Sequence, residues 1–287
     1  MDQEEQMAAA STERAFASAA AAARFVAARR AGTALKKFPG RIPANLADAY
    51  RYQDAAIDLW DDAIIGWKVG FIAPAQREAG GDERLVGPIF ARRIQFMQRD
   101  ESVDFPVFVG GFAAIEAELV FRLGADAPAD QLDWTPQQAA AIAIDLHVGI
   151  ETAGSPLATI NDLGPKVIVS DFGNNAGLLL GPKIPDWRAL LSPALQCACY
   201  IGERAVGEGS VRALMDGPLP ALAFALSRCA RNRRPLRKGD LITTGAITGV
   251  HDILAGESAR VSFGGYGSLR GRAVDAREFM HRVKASA

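Results

Sequence analysis

The stretch FAAIEAELVFRL, Phe112 to Leu123, decides the fold, because its residues alternate between two patterns. Every second residue from Ile115 to Leu123 is apolar, whereas Glu116 and Glu118 occupy intervening positions. Successive side chains of a β-strand point to opposite faces, so this spacing predicts a strand with one continuous buried face. The two glutamates then project from the same side, about 7 Å apart along the strand.

Two carboxylates held side by side repel each other unless a cation or a proton lies between them. The pair therefore suits a hard divalent ion, which prefers carboxylate oxygen. The alternative is a half-buried strand whose two acids face water, and for an isolated Glu-x-Glu pattern this alternative is the simpler one.

A second alternating stretch, IAIDLHVGIETAG from Ile142 to Gly154, supplies a third acid. Its polar row contains Asp145, His147 and Glu151, opposite an apolar row. Three oxygen donors, Glu116, Glu118 and Glu151, would suit Mg²⁺ or Mn²⁺ and leave open positions for water or a substrate oxygen. Zinc would prefer His or Cys. Three unrelated surface acids remain the alternative.

Composition limits the possible partners. The chain has 287 residues, of which 49% are hydrophobic and 23% charged, with a formal net charge of -1. These values fit a soluble globular protein with a substantial core. The near-neutral charge argues against nucleic acid and anionic membranes as partners, and no apolar run is long enough to span a bilayer.

The cellular compartment is predicted from the N-terminus and the cysteines. The start, MDQEEQ, is acidic and does not resemble a secretory signal. Cys197 and Cys199 alternate along an apolar segment, and Cys229 stands apart. Buried free thiols are therefore expected rather than a disulfide or a metal pair. The prediction is a cytoplasmic protein with reduced thiols.

Two helices are predicted before the β-rich part of the chain. Residues 7–31 are rich in alanine, which favours helix, and a second helix is predicted over Leu46 to Asp61. After them come many short apolar runs separated by Gly and Pro, including a strand over Val167 to Ser170, a hairpin near residues 195–210 and a helix over Pro218 to Arg231. This pattern predicts an α+β fold built on a rolled or sandwiched antiparallel sheet.

Further polar residues have both ordinary and functional interpretations. Lys68 lies inside the apolar strand IIGWKVGFI, where it is either an edge residue or a buried amine held by acids. Asp171 and Asn174 lie in a polar turn after a strand. The loop from Thr243 to Gly249 could offer N–H groups and hydroxyls to a substrate carboxylate.

The order of these segments resembles the fumarylacetoacetate hydrolase superfamily, in its branch of 2-keto-4-pentenoate hydratases and 4-oxalocrotonate decarboxylases. The resemblance rests on segments between about residue 45 and about residue 270. They are GWKVG at 66–70, IEAELVF at 115–121, Glu151, DFGNNAGLLLG at 171–181, ITTGAITG at 242–249 and the later FGGYGSL.

The resemblance implies a β-roll with flanking helices, usually in a homo-oligomer that sometimes associates with a pathway enzyme. The two predicted helices form an N-terminal helical flank, 1–62, and the remainder, 63–287, is the predicted metal-binding catalytic domain. The resemblance also implies roles for the candidate residues. Glu116, Glu118 and Glu151 would bind Mg²⁺ or Mn²⁺, Lys68 and Asp171 would be catalytic, and Asn174 and Thr248 would contact the substrate.

The expected function is a lyase that adds water to an unsaturated 2-oxo acid and gives a 4-hydroxy-2-oxo acid. Lys68 would hold or shuttle the proton, with a pKa lowered by the metal and by burial. A hydrolase that depends on an upstream histidine is disfavoured, because His147 is the first histidine in the chain. The acid expected shortly before Gly87 is replaced by Leu85-Val86. A vinylogous decarboxylase, an acylpyruvate-type hydrolase and a non-catalytic oligomer scaffold stay open as alternatives.

Overall fold

Two β-sheets form the body of the protein. The computed structural model describes residues 3–189, 195–214 and 216–285. In spatial order, the larger sheet contains β2 (Arg84–Phe90), β1 (Ile64–Phe71), β10 (Leu241–Thr243), β5 (Phe112–Leu123), β6 (Ala143–Ser155), β7 (Asn175–Lys183) and β3 (Ile94–Phe96), and β11 (His251–Asp252) pairs with β5. The smaller sheet contains β4 (Ser102–Val107), β13 (Ser268–Asp275), β12 (Ser258–Phe263), β8 (Gln196–Ile201) and β9 (Arg204–Ser210).

Helices flank these curled sheets. They are α1 (Gln3–Ala31), α2 (Leu46–Leu59), α3 (Pro136–Ile142), α4 (Pro165–Ser170), α5 (Leu219–Arg231) and α6 (Ala276–Ala285). One apolar core joins both sheets, since Leu119 of β5 and Cys199 of β8 belong to the same buried cluster. The predicted α+β class with flanking helices is confirmed. None of the described helices is long and apolar enough to cross a membrane.

The sheets are mixed rather than antiparallel throughout. The pairs β1 with β10, β3 with β7, and β4 with β13 run parallel. Alternation along one segment predicts a strand but does not fix the direction of a neighbour that is distant in the chain. The predicted hairpin of β8 and β9 is antiparallel, as expected, and α5 occupies the predicted range.

Strand β5 is buried on both faces. Its apolar row, which includes Leu119 and Phe121, packs in the core, and Glu116 and Glu118 on the other row are also buried. The half-buried strand whose acids face water is therefore excluded. Cys197, Cys199 and Cys229 are free and buried, as the sequence predicts.

The segment Val167 to Ser170 is helical, and the predicted strand there is wrong. Gly164 adopts a φ of 87° and Pro165 takes the first helical position, so α4 begins before the apolar residues. A short apolar run fits a buried helix as well as a strand, and its length alone does not separate them. After α4, a tight turn over Phe172–Asn174 leads into β7.

Helix α2 is capped at its start and is joined to β2 and α4 by buried polar contacts. The amide of Asp48 donates to the side chain of the N-cap residue Asn45 at 2.8 Å, and α2 ends at Leu59, two residues before the predicted end. Gln53 of α2 donates to the carbonyls of Val86 and Val169, both at 3.0 Å. The division of the chain at residue 62 stays a prediction.

Candidate metal centre and substrate cavity

Three glutamates meet at the centre of the larger sheet. Glu116 of β5 lies directly opposite Glu151 of β6, and Glu118 lies opposite Gly149, which has no side chain to fill the space. Each glutamate offers a carboxylate oxygen within 4.8 Å of those of the other two. Glu118 and Glu151 have no solvent exposure and Glu116 has 6%. Antiparallel pairing of two alternating strands thus gathers three acids into a small buried space.

The hydrogen bonds of these carboxylates are only partly satisfied. Glu118 Oε2 accepts from the backbone N–H groups of Thr244 at 2.7 Å and Gly245 at 2.6 Å. Glu151 Oε1 accepts from Asn175 Nδ2 at 3.1 Å. Among the described residues, Glu118 Oε1 and Glu151 Oε2 have no hydrogen-bond partner although both are buried. Buried charged oxygens without partners are costly unless a cation or proton accompanies them.

The electrostatics of the cluster also favour a cation. Burial, together with the charge of Glu151, raises the pKa of Glu116 to about 7. Burial, followed by the charges of Glu151 and Glu116, raises the pKa of Glu118 well above its ordinary value. The donors are all carboxylate oxygens, which suit Mg²⁺ or Mn²⁺ better than zinc. The residues present therefore fit a hard divalent ion.

Lys68 of β1 reaches this cluster from the neighbouring part of the sheet. Its Nζ lies 3.4 Å from Glu151 Oε1, and its side chain is 6% exposed. Burial acts to lower the pKa of Lys68, but attraction to Glu151, Glu116 and Glu118 outweighs it, so the pKa is raised. The sequence-based expectation was a lowered pKa. A bound cation would offset the three negative charges that cause the increase.

A cavity of about 420 Å³ opens onto Lys68 and Glu116, whereas Glu118 and Glu151 do not line it. Its wall combines charged, amide and apolar residues, including Thr244, Gly245 and Ala246 of one loop. The polar residues that line it include Lys68, Gln76, Arg84, Glu116, Asn161, Asn174 and Thr244. This volume fits a small molecule that places polar groups near Glu116 and apolar carbons near Phe71 or Leu214.

The structure places Asn174 in the cavity wall. Its Nδ2 donates to Asn161 Oδ1 at 3.2 Å, whereas its own Oδ1 is buried without a partner among the described residues. The backbone of Asn174 is left-handed, with a φ of 54°. A buried amide oxygen without a partner is costly, and a donor on a ligand would offset that cost.

Two predicted site residues do not line this cavity. The carboxylate of Asp171 is fully buried, with Oδ1 accepting from Arg29 Nε at 2.5 Å and Oδ2 from Ser155 Oγ at 2.5 Å. Thr248 Oγ1 lies 3.1 Å from Cys199 Sγ. Both side chains are engaged by other residues, so the catalytic role of Asp171 and the substrate contact of Thr248 stay predictions that the lining of this cavity does not support.

The interpretation of the sequence missed some residues at this site and assigned others a different role. Arg29 lies 142 positions before Asp171, and no local pattern distinguishes it from other arginines of α1. Thr244 and Gly245 were expected to bind a substrate carboxylate, but their N–H groups bind Glu118. Arg84 stands just before Leu85, where the resemblance pointed to a missing acid. None of the chain's three histidines lines the cavity.

Comparison with known proteins identifies the family of this chain. Residues 75–274 match the family described as fumarylacetoacetate (FAA) hydrolase C-terminal, and the chain belongs to that family. A 2-keto-4-pentenoate hydratase from Paraburkholderia xenovorans is 28% identical over 235 residues, which cover 79% of this chain and 83% of the relative.

Two solved structures share the fold. One is a 4-oxalocrotonate decarboxylase from Pseudomonas putida G7, complexed with magnesium and adipate, with a TM-score of 0.75 and 20% identity over 90% of this chain and 97% of that one. The other is a fumarylpyruvate hydrolase from Pseudomonas aeruginosa, in complex with Mn²⁺ and pyruvate. It has a TM-score of 0.53 and 17% identity over 75% of this chain and 92% of that one.

Proposed function

We propose that this protein is a divalent-metal-dependent hydro-lyase that adds water to an unsaturated 2-oxo acid. The observation that carries the proposal is the buried cluster of Glu116, Glu118 and Glu151 beside Lys68. A cavity of small-molecule size reaches this cluster at Glu116 and Lys68. The relative named 2-keto-4-pentenoate hydratase supports the reaction class. Solved relatives with magnesium and with Mn²⁺ support Mg²⁺ or Mn²⁺ as the cofactor.

The three glutamates would hold the ion, which supplies Lewis acidity toward the oxygens of a 2-oxo acid when bound. Lys68, fixed beside Glu151, would hold the proton that moves between the substrate's enol oxygen and its distal carbon. The amides of Asn161 and Asn174 would orient a polar group of the substrate or the attacking water. The product would carry one water more than the substrate and would be a 4-hydroxy-2-oxo acid.

The test of this reaction is product analysis with 2-hydroxypenta-2,4-dienoate. We expect loss of the ultraviolet absorbance of the conjugated dienol and formation of a single product that contains one added water. An acylpyruvate given in parallel tests the hydrolase alternative, since cleavage would yield two acids. Two acids from the acylpyruvate, with no turnover of the dienoate, would overturn the hydratase proposal.

Metal dependence has a stability readout as well as an activity readout. We expect protein treated with EDTA to lose activity, and added Mg²⁺ or Mn²⁺ to restore it. Because the ion binds the folded cluster and not the unfolded chain, a concentration of 100 times Kd should stabilise the protein by about 2.7 kcal/mol. Calorimetric titration and thermal unfolding measure both effects. A chain with no affinity at millimolar Mn²⁺ would instead favour the non-catalytic scaffold.

Arg84 favours a second candidate reaction, decarboxylation of a substrate with a second carboxylate. It lines the cavity and forms a long ion pair with Glu83, with Nη1 and Oε2 separated by 3.8 Å. Glu83 also pairs with Arg77, whose Nη1 lies 3.2 Å from Glu83 Oε1. Because one carboxylate serves two arginines, it neutralises the positive charge of Arg84 only in part. Burial also lowers the pKa of Arg84. A distal substrate carboxylate would supply the missing negative charge.

Substitution of Arg84 tests this candidate. We expect Arg84→Met to raise KM for a dicarboxylate dienol by about tenfold or more, since a hydrogen bond between charged groups is worth about 1.5–3 kcal/mol. The KM for the monocarboxylate 2-hydroxypenta-2,4-dienoate should not change. Exposed Arg41→Met is the matched control, and release of carbon dioxide distinguishes decarboxylation from hydration. Equal effects on both substrates would count against a carboxylate site at Arg84.

The resemblance also implies assembly, which we include in the proposal. The protein would form a homo-oligomer and associate with an enzyme that supplies its unstable dienol substrate. Light scattering of the purified chain tests the first point, and a monomer at micromolar concentration would contradict it.

A further inference from the structure

We infer that Arg29 of the N-terminal helix is a positioning residue for the metal centre. It would act by fixing the turn from Asp171 to Asn175, which contacts Glu151 and Lys68. This inference rests on the metal centre of the proposed function but not on the particular reaction. It gives α1 a functional task and assigns Asp171 a role other than contact with the substrate.

The guanidinium of Arg29 is buried and makes four hydrogen bonds. Nε donates to Asp171 Oδ1 at 2.5 Å, and Nη2 donates to the carbonyls of Asp171 at 3.1 Å and Gly154 at 2.9 Å. Nη1 donates to the carbonyl of Asn175 at 2.9 Å. The guanidinium also lies 5.1 Å from the ring centre of Phe172. Arg29 therefore holds the backbone at both ends of the turn.

The turn needs such support because its backbone is unusual. Phe172, Gly173 and Asn174 have φ angles of 55°, 64° and 54°. For the two residues that are not glycine, this left-handed conformation is disfavoured, so it persists only when the surroundings enforce it. Asp171 adds a second anchor, since its Oδ2 accepts from Ser155 Oγ at 2.5 Å.

The side chains that leave this turn reach the functional groups. Asn174 lines the cavity, and Asn175 donates to Glu151 Oε1 at 3.1 Å. Gly173 packs so closely that a Cβ added there would lie 3.3 Å from Lys68 Cε. A shift of the turn would therefore displace a hydrogen-bond donor of a metal ligand together with the support of Lys68. Loss of such outer contacts of metal ligands typically costs 10–100-fold in affinity or activity.

Arginine is required for this arrangement because of its shape. Its planar fork presents several N–H groups in fixed directions, whereas a lysine presents one compact charge. Lysine at position 29 could pair with Asp171 but could not also hold the carbonyls of Gly154 and Asn175. A conservative substitution can thus separate the contribution of charge from that of position.

The test compares Arg29→Lys, Arg29→Met and the double variant Arg29→Met with Asp171→Asn. Removing only Arg29 leaves a buried unpaired carboxylate and destabilises the chain, whereas the double variant removes both charges. Binding of Mn²⁺ to metal-free protein is measured by calorimetry, and folding by circular dichroism and urea denaturation. Exposed Arg24→Met, on the same helix, is the matched control.

We expect the double variant to regain stability relative to Arg29→Met and to bind Mn²⁺ at least about tenfold more weakly than wild type. Arg29→Lys should also bind Mn²⁺ more weakly, which keeps the test valid if Arg29→Met does not fold. Wild-type Mn²⁺ affinity in a folded double variant and in Arg29→Lys would overturn the inference. Wild-type protein that binds Mn²⁺ but hydrates no dienol would overturn only the proposed reaction.

Discussion

Replacement of Glu118 by glutamine should lower kcat/KM for the dienoate by about 10³-fold, because several kcal/mol of charge stabilisation depend on the bound ion. The glutamine oxygen can still accept from the N–H groups of Thr244 and Gly245, so the loop should keep its position. The ligand that is lost is the carboxylate oxygen Oε1, which has no partner among the described residues. Calorimetric titration with Mn²⁺ should show strongly weakened binding.

The same substitution should stabilise the metal-free protein. Glu118 is fully buried beside two other carboxylates, and burial together with their charges raises its pKa. Removal of one repelling charge should therefore raise the urea midpoint when no metal is added. Exposed Glu208→Gln serves as the control, with no change in either measurement. Full Mn²⁺ affinity in Glu118→Gln would mean that Glu118 is not a ligand.

Replacement of Lys68 by methionine should lower kcat by about 10²–10⁴-fold, the range associated with loss of a positioned proton-transfer group. Methionine keeps an apolar stem inside β1 and removes only the ammonium. Because a positive charge 3.4 Å from Glu151 disappears, Mn²⁺ should bind at least as tightly as it does to wild type. Steady-state kinetics and calorimetry on the same preparation measure the two effects.

Opposite effects on metal affinity distinguish these two substitutions. Glu118→Gln should lose the ion and Lys68→Met should keep it, although both lose turnover. Exposed Lys36→Ala is the control for a lysine substitution elsewhere in the chain. If Lys68→Met turned over the dienoate at the wild-type rate, Lys68 would have no part in proton transfer.

These expectations depend on the mutual position of β5, β6 and β1. The pairing of Glu116 with Glu151, and of Lys68 with Gly87, sets which side chains meet. A Cβ added to Gly87 would lie 2.1 Å from the carbonyl oxygen of Phe172, so this glycine lets the Asp171–Asn175 turn approach Lys68. The candidate metal centre and the turn held by Arg29 thus form one packed unit.

Short-range patterns in the sequence were sufficient to predict the two strands that hold the three glutamates. Alternation of apolar residues around Glu116 and Glu118 predicted β5, and the same pattern around Glu151 predicted β6, because side-chain direction repeats every two residues in any strand. The strand predicted over Val167 to Ser170 was wrong, because Gly164 and Pro165 start a helix there. The order of motifs, rather than any single one, indicated the family to which residues 75–274 belong.

By itself, the sequence determined the principal strands and the family, since these depend on local periodicity and motif order. It also singled out the three acids and Lys68 as candidate site residues, which the structure brings together. Only the tertiary structure decided that Asp171 is bound by Arg29, that Thr248 faces Cys199, and that Arg84 lines the cavity. The physical reason is that these contacts join segments up to 142 residues apart, and their geometry is set by packing of the whole chain.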